Sequence, residues 1–172
     1  LQAHYLILAD PKHLAADEIN AEHYLELLQK SADLGDGLAC LELSDIYNSG
    51  KVAAGRWSVE PDQEKAFKYL ADPLNFIYPL NYASKDRAVR FASLGDRYLY
   101  GKGTSANRGQ AVACYERSLA VGYNDHAAYR LGSLLIKQND SKQKERGMRL
   151  LQKVSQNKNS AYASQAVKLL KH

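Results

Sequence analysis

Two aspartates at equivalent helical positions are the first residues in this sequence that could do chemistry. Asp45 and Asp96 each lie two positions after a leucine in a segment with helical patterning. Paired carboxylates in one cleft can act as general acid and general base. The two aspartates belong to different helices, however, and no nucleophile or histidine shares their columns. We therefore interpret them as residues of solvated helix faces and predict that the chain is not an enzyme.

The glycine-rich stretch GKGTSANRGQ, residues 101–110, is a second candidate because glycine-rich loops can cradle phosphate groups. It follows no β-strand pattern and lacks the GK[ST] order of a phosphate-binding loop. Gly101 and Gly103 instead suit a chain reversal with positive φ angles, and Asn107 suits the N-cap of a following helix. We predict a turn between two helices.

The cysteines and histidines do not form a metal-binding pattern. Cys40 and Cys114 lie on apolar helical stripes, where we predict free, buried thiols. A disulfide bridge or a reactive thiol stays open as the alternative. The five histidines are scattered without metal-ligand spacing, so we predict no metal and no cofactor.

Composition is ordinary for a soluble globular protein of 172 residues, with 45% hydrophobic and 24% charged residues. No apolar run reaches the roughly 18 residues that a membrane-spanning helix needs. The chain opens without Met, so we interpret it as a trimmed or processed product. Residues 126–172 hold 10 Lys and Arg against 2 Asp and Glu, whereas the first 125 hold 13 against 17. This polarity could steer an acidic partner toward the C-terminal end.

Three segments repeat one helical pattern around Leu43, Leu94 and Leu131. Apolar or small residues lie three positions before and four positions after each leucine, on one stripe of an α-helix. A small residue directly follows each leucine, namely Ser44, Gly95 and Gly132. Glycine costs about 1 kcal/mol of helix propensity relative to alanine. Its presence on this stripe therefore indicates close approach of another helix.

A second helix with its own stripe follows each of these segments. Its positions are Ala66, Tyr69 and Leu70, then Ala111, Cys114 and Tyr115, then Gly147, Leu150 and Leu151, and an earlier copy has Tyr24, Leu27 and Leu28. We predict that Gly35 and Gly122 end such helices in the left-handed conformation. The stripe tyrosines are predicted to be core residues: Tyr47, Tyr69, Tyr98 and Tyr115.

Residues 88–122 carry a recognisable order of motifs, written LGDRYLYGKGTSANRGQAVACYERSLAVG from Leu94 onward. This stretch resembles the Sel-one-like repeat, a relative of the tetratricopeptide repeat. The matching positions are Leu94, Gly95, Tyr98, Gly101, Gly103, Ala111, Tyr115, Arg117 and Gly122. Asn107, Gln110 and Cys114 stand where the family has Asp, Lys and Trp. Residues 125–158 match more loosely, and residues 1–35 keep mainly KSADLG.

The resemblance implies an all-α fold, an α-solenoid forming a right-handed superhelix of about four antiparallel helix pairs plus a C-terminal capping helix. We predict one repeat domain over residues 1–172, with repeats at 1–35, 36–85, 86–122 and 123–158 and a cap at 159–172. Helices are expected near 2–9 and 18–34. The cap helix, roughly 160–171, should turn one apolar face inward, with Ala163, Ala166, Val167 and Leu170.

The second repeat departs from the family pattern through insertions at 51–60 and 72–85. Pro73 and Pro79 argue against an uninterrupted helix in the second insertion. Two interpretations stay open for 72–85: an irregular segment that packs over the edge of the solenoid, or a partner-binding insertion.

The resemblance implies an adaptor, and in bacteria often an envelope-associated, secreted or host-interacting protein. We expect a periplasmic, secreted or envelope-associated location rather than a cytoplasmic one. The predicted function is a non-enzymatic scaffold that binds a protein or peptide on the concave face, in assembly or regulation of a complex. The candidate partner-binding residues are Asp45, Asn48, Asp96, Tyr100, Tyr129, Ser133 and Lys137.

Two other partner classes stay open. A polysaccharide-binding or envelope-assembly protein would use the aromatic residues of 76–82. Nucleic acid is disfavoured, because the basic stretch KQNDSKQKERGMRLLQKV, residues 137–154, has no aromatic residues between its charges.

Overall fold

The computed structural model describes residues 21–52, 55–71 and 84–171 of the chain. Within these ranges it has eight α-helices and one short antiparallel ribbon. In chain order the elements are α1 (Ala21–Asp33), α2 (Gly37–Ser49), β1 (Lys51–Val52), β2 (Trp57–Ser58), α3 (Gln63–Ala71), α4 (Ser84–Tyr100), α5 (Arg108–Val121), α6 (Asp125–Leu135), α7 (Ser141–Gln156) and α8 (Ala163–Leu170).

The described elements fall into two compact units. The N-terminal unit holds α1 to α3, the ribbon and the turn 101–105, and the C-terminal unit holds α4 to α8. In both units each helix packs against the next one along the chain. In the C-terminal unit α4 also contacts α6, so the first helices of two consecutive pairs are neighbours.

Capping side chains start at least four of the described helices. An aspartate or asparagine precedes each one in an extended conformation and accepts hydrogen bonds from backbone N–H groups of the first turn. These residues are Asp36, Asn107, Asn124 and Asp140. The N-cap predicted at Asn107 is thereby confirmed, since its side chain accepts from the backbone N–H of Gln110 at 3.0 Å.

Buried leucines of the predicted stripes form the cores of the helix pairs. Leu28 and Leu43 are fully buried in the N-terminal unit, and Leu131 and Leu151 are fully buried in the C-terminal unit. Cys40 and Cys114 are buried and form no disulfide bridge, as predicted. Tyr69 and Tyr115 are buried, and Tyr47 and Tyr98 are partly buried against the same cores.

The small residues beside the stripe leucines lie at close helix contacts, as predicted. A Cβ atom on Gly95 would lie 2.6 Å from Cε1 of Tyr115. A Cβ atom on Gly132 would lie 2.9 Å from Cγ of Leu151 and 3.1 Å from the carbonyl oxygen of Gly147. Glycine at these positions therefore lets the two helices of a pair approach each other.

The turn after α4 also follows the prediction. Gly101 and Gly103 have φ angles of 67° and 73°, in the left-handed region that favours glycine. The backbone N–H of Asn107 then donates to the carbonyl oxygen of Tyr98 at 2.7 Å. These glycines are turn residues between two helices.

The ends of α1 and α5 differ from each other. Gly35, after α1, has a φ of 91° and forms the predicted left-handed stop. The same prediction for Gly122 was wrong, because Gly122 is extended, with φ −174° and ψ 146°. Two residues later Asn124, also extended, caps α6. The chain thus leaves α5 in extended form and enters the next cap without a left-handed reversal.

The insertion at 51–60 contains the ribbon, which the prediction of an all-α fold did not include. Lys51 pairs with Ser58 and Val52 pairs with Trp57. Gly50 precedes the ribbon with a φ of 72°, and the side chain of Val52 is fully buried in the core of the N-terminal unit. Strands of two residues are too short to show period-two alternation in the sequence.

The cap helix α8 does not turn the predicted face inward. Ala166 is fully buried, but Val167 and Leu170 are 38% and 39% exposed. Leu169 packs against the core instead, together with Tyr162 just before the helix. Among the described helices α8 packs mainly on α7, so its buried face is narrow.

Two predicted segments lie outside the described residues. They are the helix expected near 2–9 and the insertion at 72–85, apart from residues 84 and 85, which begin α4. The aromatic residues of 76–82 are therefore outside the described ranges as well.

Candidate functional site

Four polar side chains from three helices meet in the C-terminal unit around Asp96 of α4. Oδ1 of Asp96 accepts a hydrogen bond from the hydroxyl of Tyr115 on α5 at 2.6 Å. Oδ2 lies 2.9 Å from Nε2 of His126 on α6, and Oδ1 lies 3.5 Å from Nε of Arg130 on the same helix. We call Asp96, Tyr115, His126 and Arg130 the Asp96 cluster.

The proton on His126 follows from these partners. Nε2 of His126 lies 2.9 Å from the carboxylate and also 3.3 Å from Nε of Arg130, which is itself a donor. An ionised carboxylate can only accept hydrogen bonds, so Nε2 must carry a hydrogen to bond Asp96. The guanidinium of Arg130 then interacts with the same carboxylate and does not donate to the imidazole.

The cluster shifts the pKa values of its acidic groups in opposite directions. Burial alone would raise the pKa of Asp96, whose side chain is 24% exposed. Hydrogen bonds from His126 and Tyr115, and the positive charge of Arg130, outweigh burial and lower that pKa below its usual value. Burial, followed by the hydrogen bond to Asp96, raises the pKa of Tyr115 far above its usual value. Asp96 is therefore held ionised and Tyr115 neutral.

Aromatic rings surround the guanidinium of Arg130. Its Cζ lies 5.3 Å from the ring centre of Tyr100 and 5.8 Å from that of Tyr129, within the range of cation–π attraction. Tyr129 stacks on Tyr162 at 5.0 Å, and Tyr162 also stacks on His126 at 5.2 Å. The ring of Tyr129 is half-buried in this stack, whereas Tyr100 is 51% exposed.

The structure places four of the predicted partner-binding residues on two neighbouring helices of one unit and a fifth just beyond the end of α6. Together with Arg130 they define what we call the α4–α6 face: Asp96, Tyr100, Tyr129, Ser133 and Lys137. Ser133 donates its hydroxyl to the carbonyl oxygen of Tyr129 at 2.7 Å, which leaves it half-buried. Lys137 is exposed just beyond the end of α6.

The other two predicted residues, Asp45 and Asn48, lie on α2 in the N-terminal unit. Both side chains are exposed. Both aspartates were interpreted as residues of solvated helix faces, and Asp45 is indeed exposed. The interpretation was wrong for Asp96, which is mostly buried and ion-paired. The cause is the neighbouring helix α6, which places two basic side chains against α4.

Sequence reasoning missed His126, Arg130 and Tyr162 as members of this site. One signal was available for His126, which lies five positions before Leu131, whereas Asp96 lies two positions after Leu94. These columns are seven residues apart, or about two helical turns, so they share one face of the repeated helix. Side chains on that face of adjacent first helices can therefore meet.

The Asp96 cluster is better suited to stabilising the fold and binding a partner than to acid–base catalysis. Both carboxylate oxygens of Asp96 are engaged by protein donors, and the phenol of Tyr115 is fully buried. A general base needs a lone pair within reach of a substrate proton, which Asp96 does not offer here. Across the described ranges no group of three or more His, Cys, Asp or Glu could hold a metal ion.

In the described ranges of the chain, no helix is both long enough and apolar enough to cross a bilayer.

Two solved structures share this helical arrangement. One is the crystal structure of a protective antigen present in uropathogenic Escherichia coli strains, which displays an SLR fold, with a TM-score of 0.62 and 21% identity. The match covers 86% of this chain and 28% of that one, so this chain spans less than a third of that protein. The other is a Sel1 repeat protein from Oxalobacter formigenes, with a TM-score of 0.53 and 24% identity over 86% of this chain and 96% of that one.

These similarities show the fold, an all-α solenoid of helix pairs, as predicted. A comparison with curated protein sequences finds no significant match. The model of the Sel1 repeat family matches residues 25–36, 37–71, 92–123 and 125–159, which together make up more than half of the chain. The resemblance inferred from the glycine and tyrosine pattern is thereby confirmed, and the chain belongs to the Sel1 repeat family.

Proposed function

We propose that this protein is a non-enzymatic scaffold that binds a partner protein or peptide through the α4–α6 face. Sel1 repeat proteins usually act as protein-interaction scaffolds. The observation that carries the proposal is the exposed ring of Tyr100, fixed on one side by the guanidinium of Arg130. The scaffold would serve in assembly or regulation of a complex.

A fixed, exposed tyrosine is the kind of residue that contributes most to protein binding. Tyrosine and arginine are enriched among the residues whose removal costs an interface the most affinity. A ring already held in place loses less conformational entropy on binding than a free one. Tyr100 and Arg130 are held by each other and by the ion pair of Arg130 with Asp96.

A catalytic role has less support than a binding role. Asp96 and Tyr115 are engaged with each other, and the two cysteines are buried. Burial raises the pKa of Cys114, which disfavours the reactive thiolate. We therefore include the absence of catalysis in the proposal.

Asp45 and Asn48 of the N-terminal unit remain predicted partner-binding residues. A single repeat domain over residues 1–172 also remains a prediction.

Affinity purification from the native source, followed by binding of the purified partner to the purified chain, tests this function. We expect Tyr100→Ala to weaken direct binding about tenfold or more, as loss of a central interface tyrosine does. Tyr123→Ala is the matched control, because Tyr123 is 43% exposed but lies in the connection between α5 and α6. The proposal fails if no protein binds directly, or if Tyr100→Ala and Tyr123→Ala bind as tightly as the wild type.

A further inference from the structure

We propose that the α4–α6 face recognises an acidic, extended peptide through two basic groups, Arg130 and Lys137. Arg130 would bind one carboxylate between Tyr100 and Tyr129, and Lys137 would bind a second carboxylate about three peptide residues away. This inference rests on the proposed function and specifies the chemistry of the partner.

Arg130 has hydrogen-bonding capacity that the protein leaves unused. Its Nε points toward Asp96, and its side chain is 28% exposed. Within the described part of the chain, its two terminal nitrogens donate no hydrogen bond to a protein acceptor. A guanidinium binds a carboxylate through two parallel N–H donors, and both donors of such a fork need a planar acceptor. A peptide carboxylate supplies that acceptor.

Neighbouring groups hold the side chain of Arg130 in place before a ligand binds. The rings of Tyr100 and Tyr129 and the carboxylate of Asp96 all lie next to the guanidinium of Arg130. A flexible arginine loses side-chain entropy when it binds a ligand, and prior ordering reduces that loss.

Lys137 lies on the same face, seven residues after Arg130. Seven residues are about two helical turns, and at about 1.5 Å per residue they separate the two basic groups by roughly 10 Å along the axis. Ile136, the C-cap residue directly after α6, keeps helical dihedral angles of φ −63° and ψ −19°. Lys137 is exposed and has no ion-pair partner among the described residues.

The separation of the two basic groups matches an extended peptide. In the polyproline II form of an extended chain, which has three residues per turn and rises about 3.1 Å per residue, side chains three positions apart point the same way and lie about 9 Å apart. Two acidic residues three positions apart would reach Arg130 and Lys137 together. Ser133 lies between them, with its hydroxyl already bonded to the backbone, and leaves a small polar surface for the peptide to cross.

Nucleic acid and acidic polysaccharide fit this face less well. The charge of Arg130 is partly balanced by Asp96, whereas nucleic-acid binding needs several uncompensated cations along a phosphate backbone. Sugars stack on open aromatic faces, but Arg130 lies against one face of Tyr100, and Tyr129 stacks on Tyr162. A peptide with two separated carboxylates needs only two basic groups and no open aromatic face.

Selection of a random peptide library displayed on phage against the full chain tests the inference. We expect the enriched peptides to carry acidic residues three positions apart, and their binding to weaken as salt rises. Enriched peptides without acidic residues would overturn the inference. Binding of single-stranded oligothymidylate or oligogalacturonate at the same face, in preference to the selected peptides, would overturn it as well.

Three variants then locate the binding of a selected peptide. Arg130→Lys keeps a positive charge beside Asp96 but removes the fork, and Lys137→Gln removes an exposed charge. We expect each to weaken the peptide about tenfold, the effect of one lost charge-assisted hydrogen bond. Lys144→Gln on α7 removes one charge from an exposed lysine elsewhere and should bind as the wild type does.

The outcomes separate this inference from the proposed function. Unchanged peptide binding by Arg130→Lys and Lys137→Gln, or equal weakening by Lys144→Gln, would overturn the acidic-peptide assignment. A protein partner that still depends on Tyr100 would then leave the scaffold function in place. If Tyr100→Ala also bound every partner normally, the α4–α6 face would lose both assignments. Circular dichroism melts of each variant confirm that folding is intact.

Discussion

At the scale of single residues, Asp96 joins three helices through one carboxylate. Its two oxygens accept from Tyr115 on α5 and His126 on α6, and Arg130 adds a second contact with α6. Removing one partner of a mostly buried charged pair costs more than an exposed salt bridge contributes, because the remaining charge stays desolvated. The carboxylate therefore stabilises the C-terminal unit while it orders the binding residue Arg130.

Replacement of this carboxylate should change how stability depends on pH. Because the folded pKa of Asp96 is lowered, its contribution is complete above the usual aspartate pKa of about 4 and disappears as pH falls through the lowered value. We expect Asp96→Asn to lower the free energy of unfolding by about 1–3 kcal/mol at pH 7. The difference from the wild type should shrink steadily below about pH 4.

Urea denaturation of both proteins from pH 7 to pH 2 measures this difference. Asp86→Asn, which removes an exposed carboxylate from the first turn of the same helix, is the matched control. Its effect should be small at every pH. A constant difference between wild type and Asp96→Asn across the range would show that the carboxylate is not held ionised by its neighbours.

At the scale of helices, small residues and buried hydroxyls set how closely two helices of a pair approach. Gly95 faces the ring of Tyr115, and Gly132 faces the backbone of Gly147. In the first described pair Ser44 takes the equivalent position, and its hydroxyl donates to the carbonyl oxygen of Ala66 at 2.8 Å. Each pair thus has a small residue of poor helix propensity at the point where a larger side chain would push the two helices apart.

Alanine substitutions at two helical glycines separate close approach from helix propensity. Gly95→Ala places a methyl group 2.6 Å from the buried ring of Tyr115, which its hydrogen bond to Asp96 holds in place. We expect a loss of about 1–3 kcal/mol, the usual cost of overpacking. Gly109→Ala on α5 meets only Oδ1 of Asn107 at 3.4 Å and should stabilise the fold by about 0.5–1 kcal/mol.

Thermal and urea unfolding of the two variants measure these opposite signs. Both substitutions add the same methyl group to a helix, but only Gly95 faces a neighbouring helix at less than 3 Å, so opposite signs would report that helix contact. Stabilisation by Gly95→Ala would mean that α4 and α5 are not in close contact at this position.

Most of the described helices, caps and turns could be predicted from the sequence, because apolar stripes, capping residues and turn glycines are local signals. The pairing of helices, the cap at Asn107 and the turn at Gly101 follow from residues within a few positions of each other. The conformation of Gly122 did not follow, because the cap of the next helix at Asn124 decides it.

Only part of the candidate site could be predicted from the sequence, because its other members depend on how two helices pack. Asp96 and Tyr100 could be placed on one helix face from their spacing. Which turn of α6 lies against them depends on the tertiary register of two helices, and that register brings Arg130 and His126 to Asp96. The short ribbon at Lys51–Val52 was missed because its strands carry no detectable alternation.

At the scale of the whole molecule, contacts along the C-terminal unit run mainly between helices adjacent in sequence. Repeat proteins of this kind have stabilities that approximate a sum of local terms and neighbour interfaces. α8 stands at the end of this series, packs on α7, and leaves Val167 and Leu170 partly exposed. Its opening free energy should therefore be the lowest among the helices of this unit.

Hydrogen exchange of the wild type and of one cap variant tests this gradient. Ala166 is fully buried against Leu151 and Val154, so Ala166→Asp should unfold α8 and leave a charge in place of a core contact. We expect amides of 163–170 to lose protection while those of 111–118 and 127–135 keep theirs, because the core of α4 to α6 does not include Ala166. Val167→Asp, at a partly exposed position of the same helix, should change protection little. Uniform loss of protection from α4 to α8 in Ala166→Asp would show instead that the unit unfolds as one cooperative body, and that the cap is as firmly held as its centre.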